Sequence, residues 1–499
     1  MGARRQPVIV GVGQVVNRTD DPHALLEPLE MMARAAERAA ADAEAPRCLA
    51  EVDSITVVNV ICWSYGDAPG ALAARLGARP AETVYTSVGG NSPQWRVNVT
   101  ADRIARGEVR LALIAGAEAM HALRIARKHG VDLPWTPPAQ PKAMVGDTRM
   151  GSNEVELRHH ARMPTRIYPL FENALRAHRG WDLERHRRFL AEFAARFAAI
   201  ARDNPYAWFR DGKTATEIGT VTPANRMIAF PYPKFMNAIM DVDQAAALLL
   251  TDTETARTLA IPEEKWVYLW AGADGHDHWY VSDRVNYWSS PAIRLLTEEA
   301  LTRQDVSVEG IRFFDFYSCF PCAPQITAEM LGLRLDDPRP FTVTGGLPYH
   351  GGPGNNYVTH AIATMVERLR TEPGSLGLVT GIGWYLTKHA VGLYASAPPP
   401  RPWARPDPAA IQARLDAEPH PELVIEAQGR ASVETYTVVH DRDGAPEVGI
   451  LVLRLADGRR CWANVTDGDV LDAMEREEFI GRPGRVRFHE PTGVNVFEP

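Results

Sequence analysis

The sequence predicts an α/β protein of two similar βαβαβ halves, with a helical and loop insertion between them and a small all-β domain of OB type at the end. Three observations carry this. Short apolar runs alternate with helical patterns over residues 7–116 and again over 245–395, the rhythm of parallel βαβ units. Residues 121–240 break that rhythm. After a proline-rich stretch beginning Ala397-Pro-Pro-Pro-Arg-Pro402, the chain turns to short alternating strands separated by turn residues, the pattern of a small barrel.

Taken in order, residues 7–13 form an apolar run ending in glycine and read as a buried strand, and 22–44 carry Ala, Glu and Met at helical spacing. Strand 54–60, helix 69–77, strand 82–88, the turn Gly89-Gly-Asn-Ser-Pro93, helix 97–106 and strand 110–116 complete the first half. The insertion holds an amphipathic helix at 183–203, many Pro and Trp residues and a loop at 225–234. Long insertions of this kind are usually functional, so it is expected to lie over the core. The second half reads as strands 245–251 and 266–272, helix 291–301, strand 310–316, helix 324–331, strand 341–346, helix 355–369 and closing strands 376–381 and 390–395. The domains are then 1–120, 121–240 and 241–396, a linker at 397–421 and a barrel at 422–499 with strands near 430–439, 448–455, 460–464 and 484–488.

Composition narrows the function class. A net charge of −8 gives no electrostatic footprint for nucleic acid. No apolar run is long enough for a membrane span or signal core. Cys48, Cys62, Cys319, Cys322 and Cys461 are odd in number and irregular in spacing, which fits a reducing, cytoplasmic setting rather than a disulfide framework. Cys319 and Cys322 make a lone C-x-x-C without the two further ligands that zinc needs, so no metal is expected. His276-Asp-His-Trp279 reads as an acid/base pair, as a metal site without an evident third ligand, or as polar residues of a surface loop with no role.

The order of the halves, the Gly-Gly-Asn-Ser turn after the third strand, the segment Ala115-Gly-Ala-Glu-Ala-Met120 and Thr344-Gly-Gly346 resemble the thiolase superfamily over residues 7–396. Sterol-carrier-type thiolases and thiolase-like proteins with an extra C-terminal domain are the similar groups. The resemblance implies a five-layer αβαβα fold and a coenzyme A thioester as substrate or ligand, with no tightly bound cofactor. It implies a homodimer or a monomer. It also implies four catalytic elements, and this sequence departs at each.

Ser92 stands where the family has its nucleophilic cysteine. Without an adjacent base serine is a poor nucleophile, and with Pro93 after it Ser92 also reads as a helix N-cap. Tyr317, in Phe316-Tyr-Ser-Cys-Phe320, takes the place of the Asn or His that holds the thioester oxygen. Its hydroxyl can donate to a carbonyl, act as acid or base, or simply pack. Gly352 falls where the family's loop histidine belongs, with Tyr349 and His350 just before it. Gly345, Gly346, Gly351 and Gly352 suggest a tight loop with exposed N–H groups for an oxyanion. Gly381 replaces the second cysteine, and His389 follows as a substitute base or a structural histidine. Cys319 is the one thiol in such a loop. Arg226 and Lys234, with the insertion's tryptophans, suit adenine and phosphates. Three readings follow: an acyl-CoA enzyme rebuilt around Tyr and His, including retro-aldol cleavage of β-hydroxyacyl-CoA; acyl transfer through Ser92 or Cys319; and a non-catalytic acyl-CoA or lipid binder.

Overall fold

The computed structural model describes residues 5–499. Strands β1 (Pro7–Val16), β2 (Ser54–Val57), β3 (Glu82–Tyr85) and β4 (Leu111–Ala119) belong to the first half; β5 (Met227–Ala229) and β6 (Tyr232–Pro233) lie in the insertion. Strands β7 (Asp243–Asp252), β8 (Val267–His276), β9 (Ile311–Asp315), β10 (Leu376–Gly383) and β11 (Lys388–Ala395) follow. The C-terminal domain holds β12 (Gly429–His440), β13 (Pro446–Leu455), β14 (Arg460–Val465), β15 (Pro483–His489) and β16 (Val494–Glu498).

The first eleven strands, β5 and β6 excepted, form one mixed sheet in the order β3-β2-β4-β7-β1-β8-β11-β10-β9. Strand β7, expected to open the second half, instead lies between β4 and β1 and completes the first, so that half runs to about residue 252. Ranked within each half, the order is 3-2-4-5-1 and then its mirror without a third strand, 1-5-4-2. The fifth strand of each half runs antiparallel to its neighbours. The halves join edge to edge through β1 and β8, at Val8–Tyr268 and Ile9–Val267. Strands as thoroughly buried as β7 and β4 read as continuous apolar runs because both faces are covered. The helix Pro28–Asp42 covers one outer face, where Gly11 and Gly13 leave room for the carbonyls of Ala39 and Ala35. The helices Ser92–Ala105 and Tyr357–Thr371 pack against strands of both halves, and Pro291–Arg303 covers the far face. The result is the expected five-layer αβαβα arrangement.

One predicted strand is absent. Residues 341–346 run as irregular chain, which leaves the second half without its third strand. The cause is local competition for the backbone. The Asp315 carboxylate accepts from the Val343 and Thr344 amides at 3.0 and 3.3 Å, and the Thr342 and Thr344 hydroxyls accept from the Gly345 and Gly346 amides at 2.9 and 3.2 Å.

Five C-terminal strands close on themselves in the order β12-β13-β14-β16-β15 with β15 back on β12. The helix Gly468–Arg476 lies between β14 and β15. This is the expected OB-type barrel, with one helix added. The insertion extends its sheet: Ala229 of β5 pairs with Val439 of β12, and β6 pairs with β5. Arg460 is fully buried, with its guanidinium on Glu434 at 2.7 Å and on the Ser282 and Arg284 carbonyls at 2.8 and 2.6 Å. The proline-rich stretch is pinned as well. Arg405 donates to Asp274 at 2.8 Å and Asp102 at 3.0 Å, and Pro408–Asp416 forms a helix against β8. Among the described residues no helix is long and apolar enough to cross a membrane.

Candidate active site

The loop after β3, the loop carrying Tyr317 and strand β10 meet around one glycine, Gly90. The loop after β3 is held by the Ser87 amide on the Val145 carbonyl at 2.8 Å and by the Gly89 amide on Asn355 Oδ1 at 2.8 Å. Asn355 in turn donates to the Asn59 carbonyl at 2.9 Å. The loop carrying Tyr317 is tied to strand β10 by its amide on Thr380 Oγ1 at 3.0 Å. A Cβ on Gly90 would collide with the Tyr317 hydroxyl and fall 2.5 Å from the Ile382 carbonyl oxygen; a Cβ on Gly381 would lie 3.0 Å from Asn91 Cα. Gly90 and Gly381 therefore face one another with the Tyr317 hydroxyl in the space a side chain would need.

Ser92 is placed differently from its sequence reading. Asn91, not Ser92, occupies the cap position of Ser92–Ala105, and the Ser92 hydroxyl donates to the Ser87 carbonyl at 3.3 Å. Ser92 lines a cavity of about 190 Å³ together with Trp95, Asp274, His276, Trp279 and Lys388.

The other candidates divide into separate environments. Tyr317 is buried, its ring edge-on to Tyr357 at 5.6 Å, and burial beside Cys319 pushes its phenol well above the usual range. It is therefore a hydrogen-bond donor at neutral pH rather than a base. Burial also pushes the Cys319 thiol up to about 12, which leaves it protonated and poorly nucleophilic. Tyr349 packs among Phe193, Phe197 and Met236, and its hydroxyl has no partner. His350 is fully buried against His360 and Tyr357, its pKa lowered by burial to about 4 and its Nε2 unpartnered.

His389 is engaged elsewhere. Its Nε2 lies 3.0 Å from the Leu386 carbonyl and 3.2 Å from Asp277 Oδ2. Burial opposes ionisation of Asp277, but His389 and Arg284 hold its carboxyl below the ordinary range. Two motifs far apart in sequence thus form one buried pair. His276 and His278 diverge from it, meeting the Asp277 and Glu418 carbonyls at 2.7 Å each.

The glycine loop does not present its amides to a ligand in this conformation. Those of Gly345, Gly346 and Gly352 are taken by Thr342, Thr344 and the Ile239 carbonyl, and a Cβ on Gly351 would meet the Gln244 side chain at 2.5 Å. Gly345 serves packing instead, admitting Ala201 of the helix Leu183–Asp203 at a positive φ of 108°. Arg226 is spent on the Met227 and Asp441 carbonyls at 3.0 Å each, and Lys234 is exposed beside it. Neither borders the cavity at Ser92.

Comparison with known proteins gives the arrangement its relatives. Over 99% of both chains, this protein is 34% identical to a monomeric SCP2-thiolase-like protein type 1 from Mycobacterium smegmatis, with a TM-score of 0.85. The chain belongs to the SCP2-thiolase-like protein type 1 family. Residues 410–490 match the family described as the thiolase-like protein type 1 additional C-terminal domain. In fold alone, this type 1 protein is also similar to the Ltp2-ChsH2(DUF35) aldolase, at 18% identity and TM-score 0.59 over 79% of this chain and 99% of that one. An acetyl-CoA acetyltransferase from Syntrophomonas wolfei is similar at 16% identity and TM-score 0.56, over 79% of this chain and all of the other. No curated protein matches.

Lys388 escaped the sequence reading as a candidate. The signal was a lysine beside His389, just before the apolar run 390–395. In the fold it is buried, and its Nζ donates to the Val88 carbonyl beside Gly89.

Proposed function

We propose that this protein binds acyl-CoA thioesters and acts on them, where it acts, without an acyl-enzyme on cysteine. The observation that carries the reading is the Tyr317 hydroxyl over Gly90, in the space a side chain there would need. A protonated phenol there is suited to donate to a thioester carbonyl and to stabilise an enolate oxygen. Acyl transfer through the remaining nucleophiles is disfavoured: Cys319 is protonated, and the Ser92 hydroxyl donates to a carbonyl oxygen rather than to a base.

Two measurements test this. Acetyl-CoA should bind at equilibrium, and failure to bind overturns the reading. Intact-mass measurement after incubation should show no acyl adduct, and an adduct on Cys319 or Ser92 overturns the non-covalent part.

The finer reading is retro-aldol cleavage of a β-hydroxyacyl-CoA, with Tyr317 as the carbonyl donor. Fold likeness to an aldolase and the raised phenol pKa support it. Tyr317→Phe is then expected to abolish cleavage while thioester binding persists; undiminished turnover removes Tyr317 from the mechanism. Binding with no turnover on any acyl class would favour a pure binder. A monomer is the expected state: the M. smegmatis relative is described as monomeric, and Val145 of the insertion here pairs with Thr86 at the edge next to β3.

A further inference from the structure

The lysine that the thioester reading leaves unused has the setting of a reactive amine. Of the chain's six lysines, Lys388 alone is buried. It opens β11, paired with His276 of β8 on one side and Gly383 of β10 on the other. The missing side chains of Gly89 and Gly383 make room for it: a Cβ on the first would lie 2.7 Å from its Nζ, and on the second 2.9 Å from its Cε. The cavity it lines is walled by Trp95 and Trp279, with Ser92, Asp274, His276 and the ring-paired His389 around it and the exposed Gly146 at its mouth.

The lysine ion pairs in the fold are those of Lys213 and Lys265. Among the described residues, no carboxylate is within 4.0 Å of Lys388. Asp147 and Arg149 act on it at longer range with opposite signs. A buried ammonium without an ion-pair partner is disfavoured against the free amine, and burial lowers this one to about 8.

We propose that Lys388 is a nucleophilic amine that captures a small aldehyde or ketone as an iminium in the cavity at Ser92. The Nζ lone pair forms a C–N bond to the carbonyl carbon, the C=O π pair moves to oxygen, and an amine proton follows it to give a carbinolamine. A proton taken from solvent onto that hydroxyl lets it leave as water, and the nitrogen lone pair closes the C=N bond of the iminium, with no oxidant or reductant consumed. The cavity of about 190 Å³ has room for a small carbonyl compound such as acetaldehyde beside the amine. This activity goes beyond the thioester reading and does not depend on it, because an aldehyde or ketone needs no coenzyme A.

The test treats the full chain at pH 7 with acetaldehyde and sodium cyanoborohydride, and maps N-ethylation over the six lysines by peptide mass. Lys388 should gain the ethyl group at least about tenfold faster than the exposed Lys128 and Lys142, since far more of it is unprotonated at that pH. Labelling of Lys388 no faster than those two overturns the proposal. Lys388→Arg should remove the fast phase and leave the slow ones. If that variant does not fold, the comparison among lysines within the native chain decides alone. Acetyl-CoA binding, measured separately, tells failure of this proposal from failure of the thioester reading.

Discussion

If the Tyr317 hydroxyl fills the place of a side chain at Gly90, then restoring even a methyl group there should be costly. In Gly90→Ala the new Cβ would lie 2.5 Å from the Ile382 carbonyl oxygen and 2.7 Å from Tyr317 Cζ, nearer still to the hydroxyl. Ile382 belongs to β10 and cannot retreat without disturbing its pairing with β11. Tyr317 is held by its amide on Thr380 and by its ring on Tyr357. Overpacking costs about 1–3 kcal/mol, and two stiff neighbours place this substitution near about 3 kcal/mol. Tyr317→Phe removes the hydroxyl contact and leaves the carbonyl one. In that background Gly90→Ala should therefore cost about 1 kcal/mol less, within the range usual for contacting residues. Urea unfolding of the four proteins of this cycle, followed by tryptophan fluorescence, measures both quantities. A single substitution within about 0.5 kcal/mol of the parent, or strict additivity in the pair, would refute the placement of Tyr317.

Two further outcomes are expected. His350 has a folded pKa of about 4, below its unfolded value, so it contributes stability that is fully present above about pH 6.5 and is lost as pH falls towards 4, about 3 kcal/mol in all; the stability gap between wild type and His350→Leu should narrow by most of that between pH 7.5 and 4.5, and parallel thermal profiles would contradict it. Arg460→Met should cost about 1–3 kcal/mol, because the Ser282 and Arg284 carbonyls lose their donor and Glu434 keeps only Arg454, and should quicken proteolytic release of the C-terminal barrel; an unchanged digestion pattern would show that Arg460 does not hold the domains together.

Much of the fold was legible because its strands are buried on both faces and its helices amphipathic. Residues 183–203, read as a helix from spacing, are helical from Leu183 to Asp203. The stretch 341–346 misled because its β-branched threonines favour a strand while their hydroxyls, with Asp315, capture the backbone. The site was less legible. The Asp277–His389 pair joins residues more than a hundred positions apart, and sequence spacing carries no trace of it. Glycines that looked suited to an oxyanion serve close approach, as Gly345 does against Ala201. Lys388 was visible as a charge at a strand end, but only the fold shows that it is buried without an ion pair.

The sheet shared by β5, β6 and β12 bears on how this architecture can vary. Proline-rich composition draws a border before the barrel, yet in space the barrel continues into the insertion through Ala229 and Val439, Asn173 on the Tyr436 carbonyl, and Arg176 on Glu478. Two stretches of the gene some two hundred codons apart thus encode a single body. Exchanging either stretch alone would leave an open sheet edge and a buried guanidinium without its carboxylate, so the two should be gained, lost and grafted only as a pair.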